Sequence, residues 1–260
     1  MKKELKNKEI SIGWDVGGWS GKNHGLCILE IIDDEIKLLM ATNVNIYHLK
    51  EKIETTIHDY QDSHSITLGI DAPLQFPQLF KEIINHNPIN IFSSIKSKHK
   101  ENPIAWRATD LYIKNYFGKA PLSASFSFLT SNATVAISLI GELRSKFENF
   151  SVLPFDEHNH INAVEVYPGL LKSINLRKHS IFHDFKKILD RKIFQGIKGF
   201  DYYFRDSKEK TDVADAVICS IFVLGLNRKI KSIPGIMSEI PQRFIEISQE
   251  EGWIYHPDLA

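Results

Sequence analysis

Four acidic positions in this chain have the setting of groups that act together: Asp15, Asp71, Glu165 and the pair Asp212/Asp215. Asp15 closes the apolar stretch Ile10-Ser11-Ile12-Gly13-Trp14, and Asp71 closes Ile66-Thr67-Leu68-Gly69-Ile70. Glu165 lies within Ala163-Val164-Glu165-Val166, and Asp212 and Asp215 open a long apolar segment. A carboxylate beside buried strand residues is costly unless a donor, a cation or a metal compensates it. Carboxylates gathered at one place raise one another's pKa unless cations neutralise them. Mg2+ or Mn2+ suits such an all-oxygen ligand set. Two ions roughly 3.5–4 Å apart can activate a water and stabilise the departing oxygen in phosphodiester cleavage. In that chemistry Asp15 and Asp71 flank or bridge the metals, Asp215 helped by Asp212 holds the second, and Glu165 completes the acidic group. Asp215 is preferred to Asp212 as a ligand, because Asp212 is placed to cap its helix.

Cations are expected to position a nucleic-acid backbone beside these acids, with Arg107 and Lys210 as the candidate substrate-binding residues. Each has a structural alternative. Arg107 and Asp110 fall on one helical face and can pair, and Glu165 can pair with Arg107 or Lys210. The loop Lys96-Ser97-Lys98-His99-Lys100 and the segment Lys186–Lys192 can follow phosphates, although charge runs are usually just solvated. His158 and His160 lack further ligands at metal spacing and read as a loop. Trp253 is expected to anchor the C-terminal segment in the core, with Glu251 within approach of the site. Gly17-Gly18, followed by Ser20, resembles the phosphate-binding turn of sugar- and acetate-kinase-like phosphotransferases. The second Asp-x-Gly turn and the glycine-rich adenosine loop of those enzymes are not visible in the sequence.

The elements that must carry these groups follow from patterning. Strands are predicted at Ile10–Asp15, Leu26–Ile32 and Ile36–Thr42, and their short connections imply an antiparallel meander. Leu49, Ile53, Ile57 and Tyr60 recur at helical spacing over residues 47–60. A fourth strand, Ile66–Asp71, then returns parallel to the first, since a helical crossover is what parallel pairing requires. Asp71 thereby takes the same place on its strand as Asp15 on its own, at the carboxyl ends where open α/β sheets bind ligands. Residues 74–159 read as a long insertion, with helices around Trp106–Tyr112 and Ala133–Phe147. A fifth strand is expected at Ala163–Pro168, a helix at Phe182–Ile197, and a last helix from Asp212 to Asn227.

Bulk properties limit the alternatives. The chain has 260 residues with 32 basic and 32 acidic side chains, so no global field advertises nucleic acid, although a local basic groove remains compatible. The length and apolar content suit a single domain spanning 1–260. The two cysteines, Cys27 and Cys219, form no CxxC and read as reduced, buried thiols of a cytoplasmic protein. No apolar run approaches the roughly 20 residues that a membrane span needs, and no secretory apolar region follows Met1-Lys2-Lys3-Glu4.

Six short motifs occur in order: Ile12-Gly13-Trp14-Asp15, Gly69-Ile70-Asp71-Ala72-Pro73-Leu74, Arg107-Ala108-Thr109-Asp110, Glu165-Val166-Tyr167-Pro168, Asp212-Val213-Ala214-Asp215-Ala216 and Glu251-Gly252-Trp253-Ile254. Together they resemble the domain of unknown function 429 family, described as predicted nucleases of ribonuclease-H-like fold. The resemblance spans nearly the whole chain, and its Asp-x-x-Asp on the last helix is similar to that of RuvC-type junction resolvases. It implies an α/β fold with a five-stranded mixed sheet flanked by helices. It also implies acids on the first strand, the fourth strand and the final helix, matching Asp15, Asp71 and Asp212/Asp215. The family's nuclease description itself rests on fold analogy. The expected activity is a Mg2+- or Mn2+-dependent nuclease acting on DNA or RNA; the alternatives are an ATP-dependent phosphotransferase and a non-catalytic binding scaffold.

Overall fold

A computed structural model of the chain describes residues 8–19, 23–33, 35–87, 102–125, 129–205, 207–224 and 239–258. Strands β1 (Lys8–Asp15), β2 (His24–Ile32) and β3 (Glu35–Val44) form the expected antiparallel meander. Helix α1 (Ile46–Tyr60) follows, capped by Asn45, whose side chain accepts from the His48 N–H at 3.0 Å. The chain then enters β4 (Ser65–Asp71), which pairs in parallel with β1 so that Asp15 lies opposite Asp71.

The sheet runs in the order β3-β2-β1-β4-β6-β5. Strand β6 is Ile161–Val166, parallel to β4, and β5 is Phe150–Val152. A two-residue β7, Ile254–Tyr255, joins β6 beyond β5. The described sheet thus has seven strands where five were expected. The two extra pieces are three and two residues long, too short for a period-two pattern to register. β5 falls within the expected insertion, which is therefore partly built into the sheet. That stretch also supplies α2 (Gln78–Ile84), α3 (Ala108–Phe117) and α4 (Leu129–Lys146). Helix α5 (Ser180–Leu189) ends earlier than its charge pattern suggested, and Arg191 and Lys192 lie beyond it. The lysine-rich loop at 96–100 and the end expected for the last helix, at 227, lie outside the described residues.

The two faces of the sheet are packed differently. One face presents Ile10, Ile12 and Trp14 of β1 with Ile66, Leu68 and Ile70 of β4 to α1 and α4. Bulky β-branched and aromatic side chains stand off these helices at ordinary distance. The other face receives α6 (Asp212–Val223), whose residues from Ala214 onward are all buried. Here the strands carry small residues. A Cβ on Gly13 would lie 1.9 Å from the Ala216 carbonyl oxygen, one on Gly25 would lie 2.0 Å from that of Asp212, and one on Gly69 would lie 2.7 Å from that of Cys219. Ser11 and Ser220 stitch the same contact, through Ser11 Oγ–H to the Ser220 carbonyl at 2.5 Å and Ser220 Oγ–H to Cys27 Sγ at 3.3 Å. The helix backbone therefore lies directly on the sheet. Among the described residues, no helix is long and apolar enough to cross a membrane.

Because the α6 backbone occupies the space of the missing side chain, Gly13→Ala is expected to destabilise the protein by about 3 kcal/mol or more in urea unfolding. Gly141→Ala, on an exposed stretch of α4 where an added Cβ meets nothing within 4 Å, should instead stabilise by about 0.5–1 kcal/mol.

Candidate acidic site

Asp15 and Asp71 emerge side by side from the carboxyl ends of two parallel strands, and Asp215 reaches them from the first turn of α6. One carboxylate oxygen from each lies within 4.8 Å of the others. This is the convergence expected from the sequence, and it follows from two devices. Parallel pairing in register brings the strand ends together, and the glycine-lined face lets α6 approach closely enough to deliver Asp215. Thr211, not Asp212, caps α6, its side chain accepting from the Ala214 N–H at 3.2 Å. Asp212 stays half-buried at the edge of the group, near enough to raise the proton affinity of Asp15 and Asp215.

Electrostatics make this arrangement unstable in isolation. Burial pushes the Asp71 carboxyl up to about 7, with Asp215 beside it adding to the effect. Burial, followed by Asp71 and Asp215, holds Asp15 well above the usual carboxylate range. Asp215 is also raised by burial, against the opposing pull of Lys210 and Tyr203. The Tyr203 hydroxyl donates to Asp215 Oδ1, and the Lys210 ammonium lies 2.6 Å from Asp215 Oδ2. Burial works against the charge of Lys210, but Asp215, Asp15 and Asp71 outweigh it and keep its pKa above the ordinary value. Lys210 is thus the group's internal counter-ion, one monovalent charge among three close carboxyls. The donor set is all oxygen, the spacing matches the reach of a single small ion, and cationic charge is in deficit. These residues fit a hard divalent cation.

Glu165 and Arg107 depart from their expected roles. Arg107 is fully buried, and its Nε and Nη2 hold Asp110 at 3.1 and 2.8 Å. Nη2 and Nη1 hold the two oxygens of Glu165 at 2.6 and 2.7 Å, and Nη1 also reaches the carbonyls of Gln75 and Glu251. No N–H of this guanidinium is left for a substrate phosphate, so the expected phosphate contact is corrected to a buried ion-pair network. Glu165 additionally accepts from the Leu74 N–H at 3.1 Å. Its carboxylate, expected among the catalytic acids, is directed to Arg107 and stands outside the converging triad. Glu251 lies nearby, with Oε1 accepting from the Gln78 N–H and Oε2 from the Ala108 N–H, so one carboxylate caps the first residues of α2 and α3. Trp253 is buried, as its pattern suggested.

The acids open into a cleft of about 220 Å3. Besides Asp15, Asp71 and Lys210, its walls include Lys119, Leu122, Lys172 and Tyr202. Tyr203 and these wall residues carried no sequence signal, because they lie in connecting segments or in helical pieces of four or five residues, too short for a helical period to register. At the Gly17-Gly18 turn two backbone donors are already engaged within the protein, while Ser20 of the expected phosphate-binding turn lies outside the described residues. Gly17 N–H donates to His24 Nδ1 at 3.1 Å, Trp19 N–H donates to Ser131 Oγ at 3.1 Å, and Gly18 has φ 75°. Comparison of the chain with family models, with curated proteins and with solved structures finds no match in any of the three.

Two stability outcomes follow. The folded state holds a proton on Asp71 up to about pH 7, whereas an unfolded aspartate releases it near 4. Between those values the native protein binds more protons than the unfolded chain, so metal-free stability should fall as pH rises through that window. Asp71→Asn should remove part of this slope and raise the metal-free melting temperature at pH 8, a gain on the order of 2 kcal/mol. Arg107→Met should cost about 3–5 kcal/mol in chemical unfolding, because it strands Asp110 and Glu165 as buried charges. Adding Glu165→Gln to Arg107→Met should recover part of that loss.

Proposed function

We propose that this protein is a divalent-metal-dependent phosphodiesterase acting on nucleic acid, built on a ribonuclease-H-like arrangement of strands and helices. The observation that carries this reading is the convergence of Asp15, Asp71 and Asp215 within 4.8 Å at the carboxyl ends of parallel strands. Acids concentrated to this degree, with proton affinities raised by burial and by each other, are poorly suited to a purely structural role and well suited to a cation. Asp15, Asp71 and Asp215 would hold Mg2+ or Mn2+, with half-buried Asp212 the available donor for a second ion. Such an ion, when bound, supplies an acidified water and neutralises charge developing on the phosphate.

The chain's own groups complete the site. Tyr203 fixes the orientation of Asp215 by donating to one of its oxygens. Lys210, anchored by the other oxygen at 2.6 Å yet half exposed, presents an ammonium at the mouth of the acids, suited to a non-bridging phosphate oxygen. Arg107 acts one layer further back, tying α3, β6 and the end of α7 (Ile245–Glu251) into a rigid support through Asp110, Glu165 and the Glu251 carbonyl. The ordered series of motifs resembling the predicted-nuclease family is consistent with this assignment.

The phosphotransferase reading draws only on Gly17-Gly18. The Gly17 and Trp19 N–H groups, which would have to cradle a phosphate, already donate to His24 and Ser131. The scaffold reading draws on the Lys210–Asp215 ion pair, which supplies a cation without any metal.

With Mn2+ or Mg2+, purified protein is expected to cleave end-labelled DNA or RNA. Asp15→Asn and Asp71→Asn should lower the rate by more than about 100-fold, the upper range for loss of a group outside the ligand set, while remaining folded. The metals should also raise the wild-type melting temperature at pH 8. Absence of both cleavage and a metal-dependent shift would overturn the reading, and an ATP-dependent shift without cleavage would favour the phosphotransferase. Loss of stability in Asp15→Asn with no metal effect on the wild type would favour the scaffold.

A further inference from the structure

The walls of the acidic cleft carry charge that the three aspartates do not use. Lys119 lines the cleft beside Pro121 and Leu122, and Lys172 lines it from the end of the 3-10 turn Pro168–Lys172. Both lysines are half-buried, and neither makes an ion pair with a carboxylate among the described residues. The Lys172 ammonium instead lies 3.5 Å from the centroid of the Tyr202 ring. An aromatic face holds a cation in place without cancelling its charge, as a carboxylate would. Two half-buried lysines that line the same cleft as Asp15 and Asp71 are placed to receive anions beside whatever sits at the acids.

The shape of the cleft restricts which polyanion can do this. Its volume of about 220 Å3 is below the ~300–1,000 Å3 of pockets that enclose drug-sized ligands, leaving room for about one nucleotide unit. Asp15 and Asp71 are among its lining residues, so a scissile phosphodiester has to enter a concavity to reach them. A strand held in a duplex by its partner cannot fold inward by one nucleotide without unpairing, which costs a few kcal/mol. A free strand can. Leu122, exposed and lining the cleft, then offers apolar surface to an unstacked base.

We infer that the cleft is a binding site for single-stranded nucleic acid, with Lys119 and Lys172 holding the phosphates that flank the one at the acids. This rests on the phosphodiesterase reading above. The test is fluorescence anisotropy with a labelled ten-nucleotide single strand and the blunt duplex of the same sequence, in Ca2+, over a range of salt concentrations. Wild type should bind the single strand at least tenfold more tightly than the duplex. Lys119→Ala and Lys172→Ala should each weaken single-strand binding several-fold and reduce the slope of log affinity against log salt by about 0.7. Lys172→Arg should restore the slope. Equal or tighter duplex binding, or unchanged affinity and slope in both alanine variants with circular dichroism showing a native fold, would overturn the inference. Hydrolysis of bis(4-nitrophenyl) phosphate by the wild-type protein with Mn2+ reports on the acids alone. Activity there without strand preference sinks the subsite and keeps the phosphodiesterase. Lysine-dependent strand binding without that activity sinks the phosphodiesterase and keeps the binding site.

Discussion

The close seating of α6 on the sheet is the constraint from which the rest of the molecule follows. Gly13, Gly25 and Gly69, on three adjacent strands, leave space that the carbonyls of Ala216, Asp212 and Cys219 occupy. A helix held at ordinary distance by β-branched side chains would carry Asp215 out of reach of Asp15 and Asp71. The opposite face shows the contrast, because Ile12, Trp14, Leu68 and Ile70 there hold α1 and α4 off with full-sized side chains. The middle of the sheet is therefore asymmetric by composition, with full-sized side chains on one face and, on the other, a glycine patch where the site is built.

Bringing three carboxyls together has an electrostatic cost that the surrounding residues only partly offset. Lys210 provides one positive charge and Tyr203 one hydroxyl, while desolvation keeps all three acids above their normal range. The neighbouring acids solve the same problem differently. Glu165 and Asp110 are buried too, but they share a guanidinium whose fork geometry matches two carboxylates at once. One acidic group is thus neutralised internally and rigid, whereas the other retains an unmet demand for cationic charge. That difference separates support from site between the neighbouring strands β4 and β6.

The alternation of apolar and small residues made β1, β2, β3 and β4 legible in the sequence, and the single helical crossover made the pairing of Asp15 with Asp71 legible as well. The convergence of Asp215 could be anticipated from topology, but not its cause, since a glycine in a strand does not announce which backbone will lie against it. Arg107 was ambiguous, because its near neighbour Asp110 and its distant partner Glu165 are both acids, and only tertiary packing shows that it serves the two together. The cap of α6 fell to Thr211 because the side chain one residue earlier has the geometry to reach the Ala214 N–H. Strands β5 and β7 were hidden by their shortness, Tyr202, Tyr203 and Lys172 by lying in helical pieces of four or five residues, and Lys119 by lying in a connection where periodicity carries nothing.

Glu251 joins parts of the chain that are made far apart in time. Its carboxylate closes the first turns of α2 and α3, and its carbonyl accepts from Arg107, some 144 positions earlier. Three residues later the chain adds β7 to β6, directly alongside Glu165. Early strands can pair as they emerge, but the scaffold behind the acids depends on contacts of very high sequence separation, whose loop-closure entropy delays their formation. A growing chain would carry Asp15, Asp71 and Asp215 for some time before their support locks. The buried support behind the acids, rather than the acidic group itself, would therefore be the last part of the site to be completed.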